Sequence, residues 1–318
     1  MTMTLLGRPR SKAQPGPGPT PQALLRALDV TVGRRIHGLV PGEFRAHDLG
    51  GGTELAQVRP YEPGDDVRRI DWNVTARTTV PHVRVHVPER ALTTWLVLDV
   101  SPSMSFGTAD RRKADVAEGV AVALGHVGTQ RGNRLGILTF GGSDDRRMRP
   151  TGGRQGLLAL LLSARNDGDA AAVEGAQGRD PVGARSPAAA LRFVAGAAAR
   201  GGLVAVVSDF RGPRDWHRVL AAAAARHEVL AIEIGDPRED DLPDVGELTL
   251  IDAETGREVR VDTSSRALRE QFATAAAADR ASLRSELRRL GVHHIALSTS
   301  GSWLRSLAGQ LRALGIAS

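Results

Sequence analysis

From residue 95 the chain alternates short, unbroken apolar runs with segments of helical period, and few architectures satisfy that alternation. The runs "WLVLD" (95–99), "RLGILTF" (134–140), "LVAVVSDF" (203–210) and "EVLAIEIG" (228–235) have strand length. A strand covered on both faces reads as such a continuous apolar run. After the first run, Val116, Val120, Leu124 and Val127 recur at spacings of three and four, which puts them on one helix face. Further helices are expected over 156–164, roughly 187–200 and about 214–226, with a polar, Gly-rich loop from Asn166 to Gly183. The pattern predicts an α/β fold, a mostly parallel sheet with helices on both faces.

The alternation stops after "GDPREDDLPDVG" (235–246). There "ELTLIDAETGREVRV" (247–261) reads as a hairpin turning at Glu254, Thr255 and Gly256, and a long Arg-rich helix is expected from about Ser264 to Leu290. "HHIALST" (293–299) resumes the sheet and "SWLRSLAGQLRAL" (302–314) supplies a last helix. One domain is therefore expected over 92–318, carrying an inserted hairpin and helix at about 236–290. Residues 30–91 read as a separate, small β-rich lobe. Residues 1–29 read as a tail, because "GRPRSKAQPGPGPTP" (7–21) is too poor in apolar groups to pack.

Composition removes several function classes. The chain has no cysteine, so disulfides, thiolate metal sites and cysteine nucleophiles are absent, as suits a reducing compartment. Its formal charge of +6 is spread along the chain, and six Phe, four Trp and one Tyr provide few stacking surfaces, which argues against nucleic acid. Only Lys12 and Lys113 are lysines; every other basic side chain is arginine. No window approaches the about 20 apolar residues of a membrane span, and no apolar secretory core opens the chain. A cytoplasmic location is the expectation.

Two expected strands end in aspartate, Asp99 and Asp209, and in an open parallel sheet the functional crevice lies at those carboxyl ends. Beyond Asp99 the chain reads "DVSPSMS", and alternate residues of an extended loop face one way, which brings Ser101 and Ser103 to the same side. Ser105 reads as a loop or helix-side hydroxyl. Two carboxylates with hydroxyls form a hard oxygen site that suits Mg²⁺ or Mn²⁺ better than Zn²⁺. The competing reading is a strand end followed by a Ser/Pro turn, a common feature of α/β proteins.

Asp-x-Ser-x-Ser after a first strand, with a later strand-end Asp, resembles the metal-ion-dependent adhesion site (MIDAS) of von Willebrand factor A domains. That resemblance implies metal ligands at Asp99, Ser101, Ser103 and Asp209, with a carboxylate from a partner completing the shell. It also implies a threonine from a middle loop; here "GARSPAAALRF" offers Ser186, or Arg185 in another register, and an arginine there would repel the ion. Further motifs, "YEPGDDVRRIDWNVTART" (61–78), "SDF", "DPRED", "LPDVG" and "LST", closely resemble the bacterial domain-of-unknown-function family fifty-eight. This is a von Willebrand factor A-like family, and the resemblance implies that fold, of Rossmann type, and a MoxR-type AAA+ ATPase as partner. Many members of that family begin with membrane helices, which this sequence lacks.

Within "GDDVRRIDW", Gly64 permits a turn, and Asp65, Asp66 and Asp71 interleave with Arg68, Arg69 and Arg77. The interleaving predicts an ion-pair network anchored by Tyr61 and Trp72, either a structural staple or a docking surface for the ATPase. His82 and His86 share a strand face without an acidic or thiol partner at ligand spacing, which makes them a poor zinc pair. His293 and His294 open a strand and point to opposite faces.

Enzyme readings find little support. A phosphatase acting through Asp99 would need a second carboxylate two residues on, where Ser101 stands. Neither Gly-x-Ser-x-Gly nor a phosphate-binding loop occurs around these residues, "TGGRQG" (151–156) lacking the required Lys-Ser/Thr. The sequence therefore reads as a non-enzymatic, metal-dependent interaction module, an adaptor for a MoxR-type ATPase that recognises an acidic residue on a protein ligand. A metal-dependent phosphatase-like hydrolase using Asp99 and a metal-free degenerate scaffold are the alternatives.

Overall fold

A computed structural model describes residues 3–5, 54–87, 93–128, 133–142, 146–152, 187–197, 201–212, 214–253 and 255–316. In chain order these form β1 (Met3–Leu5), β2 (Glu54–Pro60), α1 (Trp72–Thr78), β3 (His82–Val87), β4 (Thr93–Asp99) and α2 (Lys113–Gly128). Next come β5 (Arg134–Phe140), β6 (Arg147–Gly152), α3 (Pro187–Ala197), β7 (Leu203–Ser208), α4 (His217–Ala224) and β8 (Glu228–Gly235). The chain finishes with β9 (Glu247–Asp252), β10 (Glu258–Asp262), α5 (Arg266–Arg289), β11 (His293–Ser298) and α6 (Trp303–Leu311). The helix expected over 156–164 and the loop holding Arg185 and Ser186 lie outside the described residues.

Six strands form one sheet in the order β11, β8, β7, β4, β5, β6. All neighbours run parallel except β5 and β6. From β4 the chain steps outward to β5, then returns to β7 on the other flank, so the order reverses between β4 and β7. That reversal opens a crevice at their carboxyl ends, where an open α/β sheet binds its ligands. Sequence patterning did not disclose β6, "RMRPTG", whose charged residues and proline suit an exposed edge strand.

Alternation along β4 divides the core between two faces. Leu96 and Leu98 pack with Val116, Val120 and Leu124 of α2 and with Trp303, Leu304 and Leu307 of α6. Trp95 and Val97 turn the other way, toward Leu191 of α3, Trp216, Leu220 of α4 and Leu283 and Leu287 of α5. Every residue from Thr94 to Asp99 is buried, which is why this strand reads as an unbroken apolar run. Each fully buried aliphatic or aromatic side chain contributes on the order of 1.5–3 kcal/mol, so the two faces hold β4, and Asp99 at its end, in a fixed position.

The inserted hairpin forms a second sheet in the order β1, β9, β10, with Thr4 opposite Ile251. Met3–Leu5, inside the stretch read from composition as a tail, therefore serves as an edge strand. Leu242, Leu248 and Leu250 form a small core of their own beneath it.

Residues 37–91 form a separate compact unit, and residues 1–36 together with 92–318 form the other. In the small unit β2 and β3 make an antiparallel ribbon with a bulge between Leu55 and Gln57. Gly64 takes φ 111° in the turn that follows.

The ion-pair network expected there is wired differently. Asp65 is clasped by the two terminal guanidinium nitrogens of Arg59, Nη1 and Nη2, each at 2.8 Å. Asp71 caps α1 through the Asn73 and Val74 N–H groups and accepts from Arg84 Nε at 2.8 Å. Asp66 accepts from the Arg68 backbone rather than from a guanidinium. The cause is local geometry: Arg68 and Arg69 sit in a single tight turn directly after Asp66, while neighbouring strands carry Arg59 and Arg84 across to the carboxylates. Arg68, Arg69 and Arg77 pair with no carboxylate among the described residues. Trp72 is 71% exposed rather than an anchor, and the Tyr61 N–H donates to Pro81 O.

Candidate functional site

The two strand-end aspartates meet at the crevice between β4 and β7. Asp99 ends β4, and its Oδ1 accepts the Ser101 N–H at 2.9 Å while its Oδ2 accepts from Ser208 Oγ. The first bond folds the chain tightly after the strand, so that a 3-10 turn over Pro102–Ser105 can begin with Ser101 as its cap. Ser101 Oγ and Ser103 Oγ then stand 3.1 Å apart, on the same side as Asp99. Ser103 Oγ also hydrogen-bonds the Asp209 carboxylate. The structure thus brings together Asp99, Ser101, Ser103 and Asp209, all of them buried.

Two backbone features hold this geometry. Gly141, in the turn after β5, has φ 87°, and a Cβ there would stand 2.9 Å from Ser101 Cβ and 3.1 Å from Asp99 Oδ1. Only glycine lets that turn close on the site. Phe210, directly after Asp209, is held at φ 53°, an unfavourable region for a side chain of its size. Its ring packs edge-on against Trp216 with centroids 5.8 Å apart, and its N–H donates to Ser208 Oγ at 3.0 Å.

Sequence patterning missed the neighbour of Asp209. Lys113, the first residue of α2, is fully buried, and its Nζ lies 2.7 Å from Asp209 Oδ2 and 2.7 Å from Glu239 Oε1. Glu239 belongs to the 3-10 turn after β8 and accepts the Asp236 N–H through its other oxygen. Asp236 in turn accepts from Thr108 N–H, Thr108 Oγ1, Thr299 Oγ1 and Arg238 N–H, at 2.6–2.9 Å. These bonds tie the loop before α2 to the ends of β8 and β11. For Glu239 and Thr299 the visible signals were the "DPRED" and "LST" motifs that contain them.

The two aspartates differ in charge state. Burial, and then the charge of Asp209, push the Asp99 carboxyl up to about 7. Burial would raise Asp209 too, but the charge and hydrogen bond of Lys113, with the Arg211 N–H, hold it below the usual carboxylate range. Desolvation weighs against the charge on Lys113, yet Asp209 and Glu239 keep its ammonium protonated above its ordinary range. One aspartate has its cation built in; the other has none.

The residues present fit a divalent cation. With all three carboxylates ionised, Asp99, Asp209 and Glu239 exceed Lys113 and the Arg211 guanidinium, which lies 3.9 Å from Glu239 Oε2, by one negative charge. Asp99, Ser101 and Ser103 would supply one carboxylate and two hydroxyls to the ion. That oxygen set suits Mg²⁺ or Mn²⁺, which retain several waters and need few protein ligands. Among the described residues, no group of three or more His, Asp or Glu side chains forms a cage for a metal by itself. The outlying histidines are used in pairs across strands, His293 with Glu228 and His294 with Glu233.

Similar proteins are found by sequence and by structure. A mycobacterial relative, "Uncharacterized protein Rv1480" of Mycobacterium tuberculosis, is 42% identical over 288 residues, spanning 90% of this chain and 87% of the relative. "Uncharacterized protein Mb1516" of Mycobacterium bovis matches over the same shares. Among solved structures, BatB from Bacteroides thetaiotaomicron is similar at TM-score 0.41 and 12% identity, covering 70% of this chain and 98% of that one. The SpRpn10 VWA domain is similar at TM-score 0.32 and 14% identity, covering 69% and 95%. No helix among the described residues is long and apolar enough to cross a membrane. Residues 57–282 match the family described as "Protein of unknown function DUF58", and the chain belongs to that family.

Proposed function

We propose that this protein is a non-enzymatic interaction module that binds a divalent cation at Asp99, Ser101 and Ser103 and presents it to an acidic residue of a protein ligand. The observation that carries this reading is Asp99 itself, a buried carboxylate pushed up to about 7 beside two convergent hydroxyls. Such a group gains a cation more readily than it bears its charge alone. An ion held by one carboxylate and two neutral hydroxyls keeps open positions and residual positive charge. A carboxylate from a partner would satisfy both.

The partner class follows from the family resemblance: a MoxR-type AAA+ ATPase, with this chain as its cytoplasmic adaptor in assembling or remodelling protein complexes. The small unit supports a second contact. Its carboxylates Asp65 and Asp71 are consumed by Arg59 and Arg84, while Trp72, Val67, Arg68 and Arg77 face outward. That set would dock an acidic, partly apolar protein surface.

Titration of the full chain with Mg²⁺ and Mn²⁺ by calorimetry tests the ion site, with Asp99→Ala and Ser103→Ala as comparisons. Binding by wild type that disappears in both variants is the expected result. Binding that survives both would place the ion elsewhere, and turnover of a generic phosphoester lost in Asp99→Ala would make the protein a hydrolase instead.

A further inference from the structure

Lys113 is one of only two lysines among 42 basic residues, in a chain that otherwise uses arginine. Its side chain is also fully buried, between two carboxylates 2.7 Å away on either side. An ammonium is compact and donates in several directions, whereas a guanidinium is planar and larger, so this position demands lysine for a geometric reason. Its location bears on the crevice. Asp209 already receives the Lys113 ammonium at Oδ2, the Arg211 N–H at Oδ1 and the Ser103 hydroxyl, so an ion bound there would have to displace a charged donor, whereas the donors to Asp99, the Ser101 N–H and the hydroxyls of Ser101 and Ser208, are all neutral.

We propose that Lys113 is the resident counter-ion of the site: it occupies Asp209 and Glu239, leaves a divalent cation only Asp99, Ser101 and Ser103, and so sets the cation's affinity low enough for a partner carboxylate to be needed. The inference rests on the ion-binding reading given above. Its physical basis is twofold. The ammonium neutralises the carboxylate that would otherwise draw the ion most strongly, and its own charge opposes a second cation within the same low-dielectric pocket. Glu239 shares the ammonium with Asp209, and this sharing fixes the end of β7 against the turn after β8. A lysine with a structural role alone would change stability without directing ion affinity through Asp209.

Mn²⁺ calorimetry on the full chain separates these roles, using Lys113→Met combined with Glu239→Gln so that Asp209 is the one carboxylate left without its ammonium and open to the ion. The double variant is expected to bind Mn²⁺ at least tenfold more tightly than wild type, and adding Asp209→Asn is expected to abolish the gain. Equal or weaker binding by a folded double variant, with wild type binding normally, overturns the proposal and leaves the ion-binding reading intact. Binding by the double variant alone supports Lys113 as occupant and overturns ion dependence of the native protein. Absence of binding in both overturns both readings. Should the double variant not fold, Glu239→Gln alone decides: the ammonium then serves Asp209 only, Mn²⁺ binding should weaken several-fold, and an unchanged affinity overturns the proposal.

Discussion

Ser208 Oγ donates to Asp99 Oδ2 at 2.5 Å, which joins the end of β4 to the residue that precedes Asp209. The bond orients Asp99 without supplying the charge it lacks, and its carboxyl titrates at about 7 instead of 3.8. In the unfolded chain the proton leaves near the ordinary value, whereas the folded chain keeps it to near neutrality. Stability therefore falls as pH rises from about 4 to about 7, and the loss is complete above that window. Asn at this position cannot ionise, and it can accept from the Ser101 N–H and donate to Ser208. Asp99→Asn is expected to be more stable than wild type by about 2–4 kcal/mol at pH 8, with the difference vanishing near pH 4. Urea denaturation at the two pH values measures it, and equal stability at pH 8 would show that Asp99 carries no electrostatic burden.

Asp236 titrates in the opposite sense. Burial raises its carboxyl, but the hydroxyls of Thr108 and Thr299 and two backbone N–H groups outweigh burial and hold it below its ordinary range. Its contribution is present above the unfolded value and lost as pH falls through the lower folded one. Asp236→Ala strands the Thr108 N–H and two hydroxyls, and is expected to cost about 2–4 kcal/mol at pH 7. Thr299→Val removes one of these bonds and should cost about 1 kcal/mol. Both penalties should shrink as pH falls below the ordinary carboxylate range and through the depressed folded value of Asp236, where the carboxylate of wild type takes up its proton. Acid titrations of the three proteins followed by circular dichroism supply the comparison.

Sheet architecture and half of the site were legible because burial leaves a trace in sequence. A strand covered on both faces must be apolar throughout, so the aspartates that end "WLVLD" and "LVAVVSD" stood out as strand ends at one crevice. Lys113 left no such trace. It follows Arg111 and Arg112 in what reads as an ordinary basic run, and only three-dimensional packing shows that the third residue is buried. Its rarity as a lysine was the one available signal. The lobe failed for a related reason: Asp65 and Asp71 could be matched to nearby arginines by spacing, but strand pairing delivers Arg59 and Arg84, six and thirteen residues away. β6 stayed hidden because an exposed edge strand needs no apolar pattern.

That rewiring of the small unit has a direct consequence. Arg59→Ala and Arg84→Ala each remove the partner of a carboxylate that shapes the turn or caps α1, and each should lower the melting temperature of the full chain or broaden its transition. Arg68→Ala and Arg77→Ala remove outward side chains and should leave the melt unchanged. Differential scanning calorimetry on the four variants tests the division. A loss of stability in the second pair equal to that in the first would restore the interleaved network that spacing suggested.

Gly141 provides a test of how tightly the crevice is built. Alanine there meets two separate penalties: φ 87°, which disfavours any Cβ, and the approach of that Cβ to Ser101 and to Asp99 Oδ1. Gly246 has a comparable φ of 76° with nothing within 4 Å of an added Cβ, so Gly246→Ala measures the backbone penalty alone. The control is expected to lose about 1 kcal/mol, and Gly141→Ala about 2–4 kcal/mol. The excess arises where the turn after β5 presses on the loop that carries Ser101 and Ser103. Relief of the overlap must displace Ser101 or the Asp99 carboxylate, so Gly141→Ala should also weaken Mn²⁺ binding, while Gly246→Ala leaves it as in wild type. Equal losses of stability in the two variants would mean that the loop yields freely, and the site would then be less rigid than its hydrogen bonds imply.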